Sequence, residues 1–316
     1  MRMYLKFILK TIVVLFPLLF IISCKETTGS KEENKIVKKE NETTILPKKQ
    51  LTEEFKKYWY AGKAEITSYT LQQARYGELR EGTAVLIYVT EPFSSEKQVK
   101  ADAQNADNVS VLKVNSTKNY LTGIYPYSIM TSSFYPVYDN SHALKVTFSA
   151  QEWCGQVYAQ LNNKENFEIT SHSYFESESD QQLSLKKTLL EDEIWNKIRI
   201  NPMDLPVGEV NIIPSFEYIR LLHKELKAYE ATAQIEIVEN GIQSYSIAYP
   251  ELERKLTINF TSDFPYSIES WTETTQTSYG SEVLKITTTA QRNKRIITPY
   301  WQQNKNSDLF LRDSLF

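Results

Sequence analysis

Apolar and polar residues alternate one by one along much of this chain, and this period of two limits the fold more than any other feature. Within residues 143–153, every second position is apolar: Leu144, Val146, Phe148 and Ala150. Such alternation predicts a strand that buries one face and exposes the other. Similar segments recur up to residue 289, separated by polar turns such as Asn240-Gly241, a strong hairpin signal. The sequence therefore predicts consecutive antiparallel hairpins, which form a meander.

One run, Ala84–Val89, departs from the alternation because every residue in it is apolar or aromatic. A continuous run of this length between Gly82 and Pro92 predicts a strand that is buried on both faces. Later in the chain, strands are predicted at 216–222, 228–238, 245–249, 256–260, 268–274 and 283–289.

Two segments have a helical period instead. Residues 51–60 carry apolar side chains on one face and predict a short helix at the start of the folded part. Residues 183–200 place Leu185, Leu189 and Ile198 opposite a charged face, which predicts an amphipathic helix packed on the sheet. In this helix, the acidic triplet Glu191-Asp192-Glu193 is expected to face solvent.

The predicted fold is mainly β, a β-rich α+β architecture in which one amphipathic helix packs on a large curved antiparallel meander sheet. An N-terminal β region is expected at 51–182, and a C-terminal β region at 201–301 is expected to continue the same sheet. The helix at 183–200 separates them. Residues 302–316 are polar with few apolar positions, and they predict a loose C-terminal tail.

The first residues of the chain indicate export rather than a part of the fold. Three basic residues, Arg2, Lys6 and Lys10, precede the apolar segment Thr11–Ile22. This segment is shorter than the about 20 apolar residues that a transmembrane helix needs. It matches the apolar region of a secretory signal. We therefore expect residues 1–23 to be a signal peptide.

The end of that segment, Ile21-Ile22-Ser23-Cys24, resembles the lipobox of bacterial lipoproteins. The resemblance implies cleavage before Cys24 and attachment of acyl chains such as palmitate to its thiol and its new amino group. Stable anchoring takes more than one such chain. Cys24 is therefore the expected lipid attachment residue, and the mature protein is expected to be tethered to the outer membrane.

Residues 24–50 are rich in Lys, Glu, Asn and Thr and poor in bulky apolar residues. Such a segment buries too little apolar surface to offset the entropy that ordering it would cost. We therefore expect a disordered spacer between the lipidated Cys24 and the folded part. Its start, Lys25-Glu26, resembles the export signals of Bacteroidota lipoproteins, although Thr27 and Thr28 interrupt the charged run. Both the periplasmic face and the cell surface stay open as locations.

The net charge of the chain argues against a nucleic-acid partner. The precursor has 36 basic and 39 acidic residues and a net charge of -3. Removal of residues 1–23 takes away three basic residues and no acidic one, which leaves 33 against 39 and a net charge of -6. A nucleic-acid-binding domain would instead present a basic face.

Cys154 has no disulfide partner once Cys24 is acylated. Trp153-Cys154-Gly155 resembles the start of a thioredoxin-type redox motif, but Val157 occupies the place of the second thiol. The favoured interpretation is a small buried residue at a strand junction. The alternative is a nucleophile that pairs with His142 or His172.

Alternate residues after 171 offer nitrogen and oxygen ligands on one predicted strand face: His172, Tyr174, Glu176 and Glu178. Zinc sites usually pair His or Cys at short spacing, whereas the three histidines of this chain are scattered. We therefore expect an exposed polar face, with neither a metal nor a cofactor. The sequence also has no Gly-rich phosphate loop, no Gly-x-Ser-x-Gly elbow and no His-Glu-x-x-His helix.

Three segments, Tyr58–Tyr69, Gln151–Tyr158 and Ile213–Glu217, resemble a family of Bacteroidota lipoproteins, mostly from flavobacteria. The likeness covers nearly all of the chain beyond the spacer. Members are sometimes called septum formation inhibitor Maf, but the Ser-x-Ser-Pro-Arg-Arg opening of the Maf pyrophosphatase is absent from this sequence. The family offers no catalytic, cofactor-binding or metal-binding residues to transfer.

Two functions remain open from the sequence. The first is a non-catalytic binding or structural module of the cell envelope, whose partner is a lipid, a glycan or an envelope protein. The second is an envelope hydrolase that uses Cys154 with a histidine, or a carboxylate pair. An apolar cleft between helix and sheet would favour the first function. A polar pocket that gathers Cys154, a histidine and a carboxylate would favour the second.

Overall fold

The computed structural model describes residues 49–103, 105–279 and 282–316, without the side chains of 277–279 and 282. The predicted signal peptide (1–23), the lipid attachment at Cys24 and the spacer (24–50) lie outside the described residues, except for Lys49 and Gln50. Within the described part of the chain, no helix is both long and apolar enough to cross a bilayer.

Within the described residues, sixteen strands form one large, curved and mainly antiparallel sheet, which confirms the predicted mainly β fold. The strands are β1 Ala64–Arg75, β2 Glu78–Ser94, β3 Val99–Lys100, β4 Val109–Thr122, β5 Tyr125–Pro136, β6 Lys145–Glu152, β7 Gly155–Asn163, β8 Phe167–His172, β9 Gln181–Leu185, β10 Leu189–Leu190, β11 Gly208–Ile213, β12 Tyr229–Val238, β13 Ile242–Tyr249, β14 Arg254–Thr261, β15 Ile268–Tyr279 and β16 Glu282–Thr298. The helices are α1 Glu53–Trp59, α2 Glu191–Ile200 and α3 Phe216–Leu221. Short 3-10 helices are formed by Pro202–Asp204, Tyr300–Gln302 and Asn306–Ser314.

The chain runs outward from the middle of the sheet and returns to it. From β1 it passes through β2 and β4 to the edge strand β9, and from the other edge, β10, it continues through β11 to β16. Strand β16 then pairs antiparallel with β1. Only residues 186–188 separate β9 from β10, so these two edges lie within about 14 Å of each other. Strands spaced as in a flat sheet would separate the edges by roughly 65 Å, so the sheet has to curl.

The inner face of the curled sheet encloses the helices. Ile194 and Ile198 of α2 are fully buried in the same core cluster as residues from both halves of the sheet. The Asn196 side chain donates to the Leu112 carbonyl of β4 at 2.7 Å. The tyrosine hydroxyl of Tyr88 on β2 donates to the Trp195 carbonyl at 3.2 Å. Helix α2 is therefore a central element of the core.

The apolar run at 84–89 is buried on both faces, as predicted. Leu86 belongs to the inner core, whereas Val85 and Val89 belong to a second cluster on the outer face. Leu315 packs against this second cluster. The predicted loose tail, 302–316, is attached here, because Lys294 Nζ donates to the carbonyls of Asp313 and Phe316 at 2.7 and 2.8 Å.

Three predictions about the segments that form α2 and α3 need correction. Only the second part of 183–200 is helical, since β9 and β10 occupy 183–185 and 189–190 and α2 begins at Glu191. The acidic triplet does not face solvent, because Glu191, Asp192 and Glu193 are 2%, 8% and 0% exposed. Each of them has a partner from a distant segment, which local polarity does not reveal. Residues 216–221, predicted as strand, form α3.

Candidate functional site

A cleft of about 340 Å³ lies between the inner face of β6 to β8 and α3 with the segment that follows it. We call it the α3 cleft. Volumes of this order are typical of sites for small molecules. Its floor is apolar and is formed by Phe148, Val157, Ala159, Phe216, Ile219 and Leu226. Charged side chains stand along one wall, so the cleft combines the two kinds of surface that ligand sites usually carry.

A pair of small residues gives the α3 cleft its depth. Ala159 on β7 and Ser171 on β8 lie directly opposite each other and both line the cleft. At the next inward-facing pair, Leu161 and Ile169 fill the corresponding space and are buried. Side chains of opposite residues on neighbouring strands pack against each other, so a small pair leaves a gap in the inner face.

The wall opposite the strands is α3, whose start is fixed by two hydrogen bonds. The Ser215 hydroxyl accepts the N–H of Tyr218 at 3.2 Å, and the Asp192 carboxyl accepts the N–H of Phe216 at 3.2 Å. Just beyond the helix, His223 adopts the left-handed conformation with φ 50°, which is uncommon for a residue with a side chain. The chain turns there and carries His223 towards the loop that follows β8.

The carboxylate of Glu178 organises that loop. It accepts a hydrogen bond from the Ser173 hydroxyl at 2.6 Å, and its other oxygen lies 2.5 Å from Nδ1 of His223. The Nε atom of Arg220 lies 3.8 Å from the carboxylate, which is within ion-pair range but beyond hydrogen-bond range. Glu178 therefore joins the loop to the segment after α3 and leaves Arg220 without a direct hydrogen bond.

Arg220 lines the cleft and is held by aromatic rings. Its guanidinium carbon lies 4.4 Å from the ring centre of Phe175 and 5.7 Å from that of Tyr174. Its side chain is only 13% exposed. Among the described residues, the buried Nε and Nη1 atoms have no hydrogen-bond partner. An unpaired buried donor costs about 1–3 kcal/mol, and arginine cannot reduce that cost by losing its proton.

The polar wall does not form a catalytic triad. In such a triad, the histidine lies between the nucleophile and the acid and takes the proton of the nucleophile. Here Ser173 and His223 bind the same carboxylate, that of Glu178, and the serine donates to the acid directly. The arrangement is suited to holding the loop and the helix together. What it offers to a ligand is an apolar floor beside a cation.

Cys154 is not the buried residue that the sequence predicts. It is exposed in the turn between β6 and β7. The Glu152 carboxylate accepts the Cys154 N–H at 2.6 Å. A hydrogen bond to this carboxylate and its negative charge raise the pKa of the Cys154 thiol. A thiol nucleophile needs a lowered pKa, so these surroundings count against a hydrolase that uses Cys154.

The histidines proposed as partners of Cys154 have other partners. His142 Nδ1 lies 3.1 Å from the carboxylate of Glu193 in α2, and His172 Nδ1 lies 3.2 Å from that of Asp180. The candidate ligand set His172, Tyr174, Glu176 and Glu178 does not share a strand face, because β8 ends at His172. Within the described ranges, no group of three or more His, Cys, Asp or Glu residues is placed to hold a metal ion.

Two further guanidinium groups lie in the interior and are fully paired. Arg199 of α2 donates two hydrogen bonds of 2.7 Å to Glu65 of β1, which also accepts from the Tyr58 hydroxyl. Burial opposes ionisation of Glu65, but the charge and hydrogen bonds of Arg199 outweigh it and lower the pKa of Glu65 to about 2. Arg254 of β14 donates to both oxygens of Glu191 at 2.5 and 2.6 Å.

A small polar cavity of about 50 Å³ adjoins the second of these pairs. Lys118 of β4 donates to Glu217 of α3 at its wall, at 2.7 Å. Asp192 also lines it, and no basic residue in the described part of the chain forms an ion pair with its carboxyl. Burial, followed by repulsion from Glu191, raises the pKa of Asp192 to about 8. Asp192 is therefore mostly protonated at neutral pH, and the cavity belongs to the structural core around α2.

Sequence reasoning did not identify Arg220 as a candidate, because it assigned 216–222 to a strand. A signal was present, since Ser215 is a favoured helix-capping residue and Phe216, Ile219 and Arg220 have helical spacing. Glu178 was considered as a metal ligand, and it binds His223 and Ser173 instead. Their proximity depends on how α3 packs, which no local pattern encodes.

Comparison with known proteins gives no family for this chain. No family model matches it, and no curated protein matches it significantly. Among solved structures, it is similar to the crystal structure of a porin-like protein from Bacteroides uniformis. The two are 9% identical, the match covers 73% of this chain and 96% of that chain, and the TM-score is 0.22. A likeness at this TM-score carries no argument about fold or function.

Proposed function

We propose that this protein is a lipid-anchored, non-catalytic binding module of the cell envelope, and that the α3 cleft holds a small amphiphilic molecule. The observation that carries the proposal is the composition of the cleft, an apolar floor beside the guanidinium of Arg220, whose Nε and Nη1 atoms have no hydrogen-bond partner among the described residues. A ligand with an apolar body would gain about 0.8 kcal/mol for each CH₂ group that it buries there. A polar group at one end of the ligand could meet the charged wall.

The anchoring part of the proposal rests on the lipobox-like sequence that ends at Cys24. A flexible spacer of the length of residues 24–50 has a root-mean-square span of roughly 28 Å. The folded part would therefore stay close to the membrane and could exchange amphiphiles with it. Cys24→Ala should move the protein from the membrane fraction to the soluble envelope fraction. Protease treatment of intact cells should release the wild-type protein only if it faces outward.

Binding can be tested on residues 24–316 with Cys24→Ala, so that neither lipid nor detergent is present. The probe is N-phenyl-1-naphthylamine, an uncharged dye that fluoresces in apolar sites. Ser171→Trp should abolish saturable binding, because the indole ring fills the gap above the Ala159–Ser171 pair.

The matched control is Thr170→Trp, since the neighbouring residue on β8 points to the other face of the sheet. Circular dichroism should show the same fold in both variants. If the wild type binds no dye, or if both tryptophan variants bind it as well as the wild type, the α3 cleft is not a ligand site.

A further inference from the structure

We infer that the ligand of the α3 cleft carries an anionic head, a carboxylate or a phosphate, and that Arg220 binds this head. The inference rests on the proposed function, because it names the class of ligand for the same cleft. It starts from hydrogen-bond capacity. Nε and Nη1 of Arg220 are buried and have no hydrogen-bond partner among the described residues. Carboxylate and phosphate oxygens accept charge-assisted hydrogen bonds from guanidinium donors, and such bonds are roughly twice as strong as those between neutral groups.

The guanidinium is held in place before any ligand arrives. Phe175 stacks on it, with 4.4 Å from the guanidinium carbon to the ring centre. The Phe175 ring in turn packs edge-on against His223, with ring centres 5.0 Å apart. Tyr174, the second ring near Arg220, donates its hydroxyl to Glu152 at 2.5 Å. A side chain that is already ordered loses little entropy on binding, which raises affinity.

The acidic residues at the cleft do not occupy the place of the head. Glu178 is engaged by Ser173 and His223, and it lies 3.8 Å from Nε of Arg220. Glu225 pairs with Lys227 at 3.3 Å and its side chain is 72% exposed, so it faces solvent. Nε and Nη1 of Arg220, a residue that lines the cleft, therefore keep unused hydrogen-bond capacity. A cationic head would be repelled there, and an uncharged head would satisfy the donors less well.

The test measures displacement of N-phenyl-1-naphthylamine from the mature chain carrying Cys24→Ala. The competitors are decanoate, decyl phosphate and decan-1-ol, which share one apolar chain and differ in the head. We expect one or both anions to bind at least about 10-fold more tightly than the alcohol, as a charge-assisted hydrogen bond implies. The stronger anion identifies the head as carboxylate or phosphate.

Arg220→Met keeps a long side chain against Phe175 but removes the cation. It should weaken binding of the preferred anion roughly 10- to 100-fold and leave decan-1-ol within about twofold of its wild-type value. Arg220→Lys keeps the charge but replaces the planar guanidinium by a single ammonium group, so it should restore only part of the affinity. The matched control is Arg292→Met, which removes a half-exposed arginine of β16 that pairs with Glu269 outside the cleft.

The outcomes separate this inference from the proposed function. If decan-1-ol binds as tightly as both anions, or if Arg220→Met leaves the affinity for the anions unchanged, the anionic head is wrong and the binding module stands. If none of the three competitors displaces the dye, the proposed function falls together with the inference. Loss of decan-1-ol binding in Arg220→Met would also overturn the inference. Arg220 would then maintain the shape of the cleft rather than bind the head group of the ligand.

Discussion

Arg199, Arg254 and Arg220 all stack on aromatic rings, but they differ in the groups that their hydrogen-bond donors contact. Arg199 and Arg254 are each 1% exposed, and each donates to both oxygens of one carboxylate. Arg220 stacks at a similar distance, 4.4 Å from the Phe175 ring, but its carboxylate neighbour lies 3.8 Å away. Stacking on a ring therefore orders a guanidinium in all three cases. A guanidinium that also donates to a carboxylate stabilises the fold, whereas one without such hydrogen bonds remains available to a ligand.

The two paired arginines have a clear structural task. Arg199 of α2 binds Glu65 of β1, and Glu191 of α2 binds Arg254 of β14. One pair lies near each end of α2, and the two strands belong to different parts of the sheet. These pairs therefore fix the position of the central helix inside the curled sheet. Arg220 fixes nothing comparable, since Ser173 and His223 already hold Glu178.

The largest effect is expected where a paired arginine is removed. Arg199→Met removes the cation that binds both oxygens of the buried Glu65 carboxylate and leaves it with Arg295, 3.6 Å from one oxygen. We expect a loss of about 3–5 kcal/mol in the free energy of unfolding. Urea denaturation at neutral pH measures it. The double variant Glu65→Leu with Arg199→Met removes both charges and should recover a large part of the loss. A loss below about 1 kcal/mol in Arg199→Met would contradict the proposed difference between the paired arginines, which stabilise the fold, and Arg220.

Asp192 offers an intermediate test, because it is a buried carboxyl without a guanidinium. Its pKa is about 8 in the folded protein against an ordinary value of 3.8. The folded state thus keeps a proton that the unfolded chain loses, so stability should fall by about 1.4 kcal/mol per pH unit as pH rises between these two values. Asp192→Asn keeps an acceptor for the Phe216 N–H and cannot ionise, so it should lack this decline.

Urea denaturation of both proteins at several values between pH 5 and pH 8 measures the difference. Asp263→Asn, which changes an exposed acid, is the control and should follow the wild type. Parallel curves for wild type and Asp192→Asn would show that Asp192 is ionised in the folded protein. Asp192 would then resemble the paired carboxylates rather than an isolated one.

The smallest effect on stability is expected at Arg220. Arg220→Met removes unpaired donors and leaves the Glu178 bonds to Ser173 and His223 in place, so the free energy of unfolding should change by less than about 1 kcal/mol. The same urea measurement applies, with Arg199→Met as the reference for a large loss. A loss of several kcal/mol would place Arg220 among the structural arginines and remove the basis of the comparison.

Much of the sheet could be predicted from sequence because its signals are local. Alternation at 144–150 and the continuous apolar run at 84–89 report directly on which faces of a strand are buried. The acidic triplet at 191–193 was wrongly predicted to face solvent, because its burial depends on contacts that are not local in sequence. Charges are usually exposed, and nothing near the triplet announces Arg254 or His142, which neutralise or bind two of its members. Burial of a charge depends on partners that only the fold brings close.

Part of the α3 cleft also follows from local sequence signals, and part of it does not. The depth of the cleft follows from Ala159 and Ser171, two small residues on neighbouring strands of the meander, a fold that the alternation predicts. The charged wall does not, because Arg220 and Glu178 come from a short helix and a loop that lie far apart in sequence. Six-residue helices carry few periodic positions, so α3 was mistaken for a strand.

The seam between β1 and β16 lies at the middle of the sheet and joins Ala64 to Thr298. A nascent chain therefore carries an open hydrogen-bonding edge on β1 until its last strand has been made, and such edges attract other chains. Contacts between residues so distant in sequence also form slowly. Loss of β16 would thus do more than shorten the protein. It would divide the sheet at its centre and leave β15 and β1 as unpaired edges that could bind other chains.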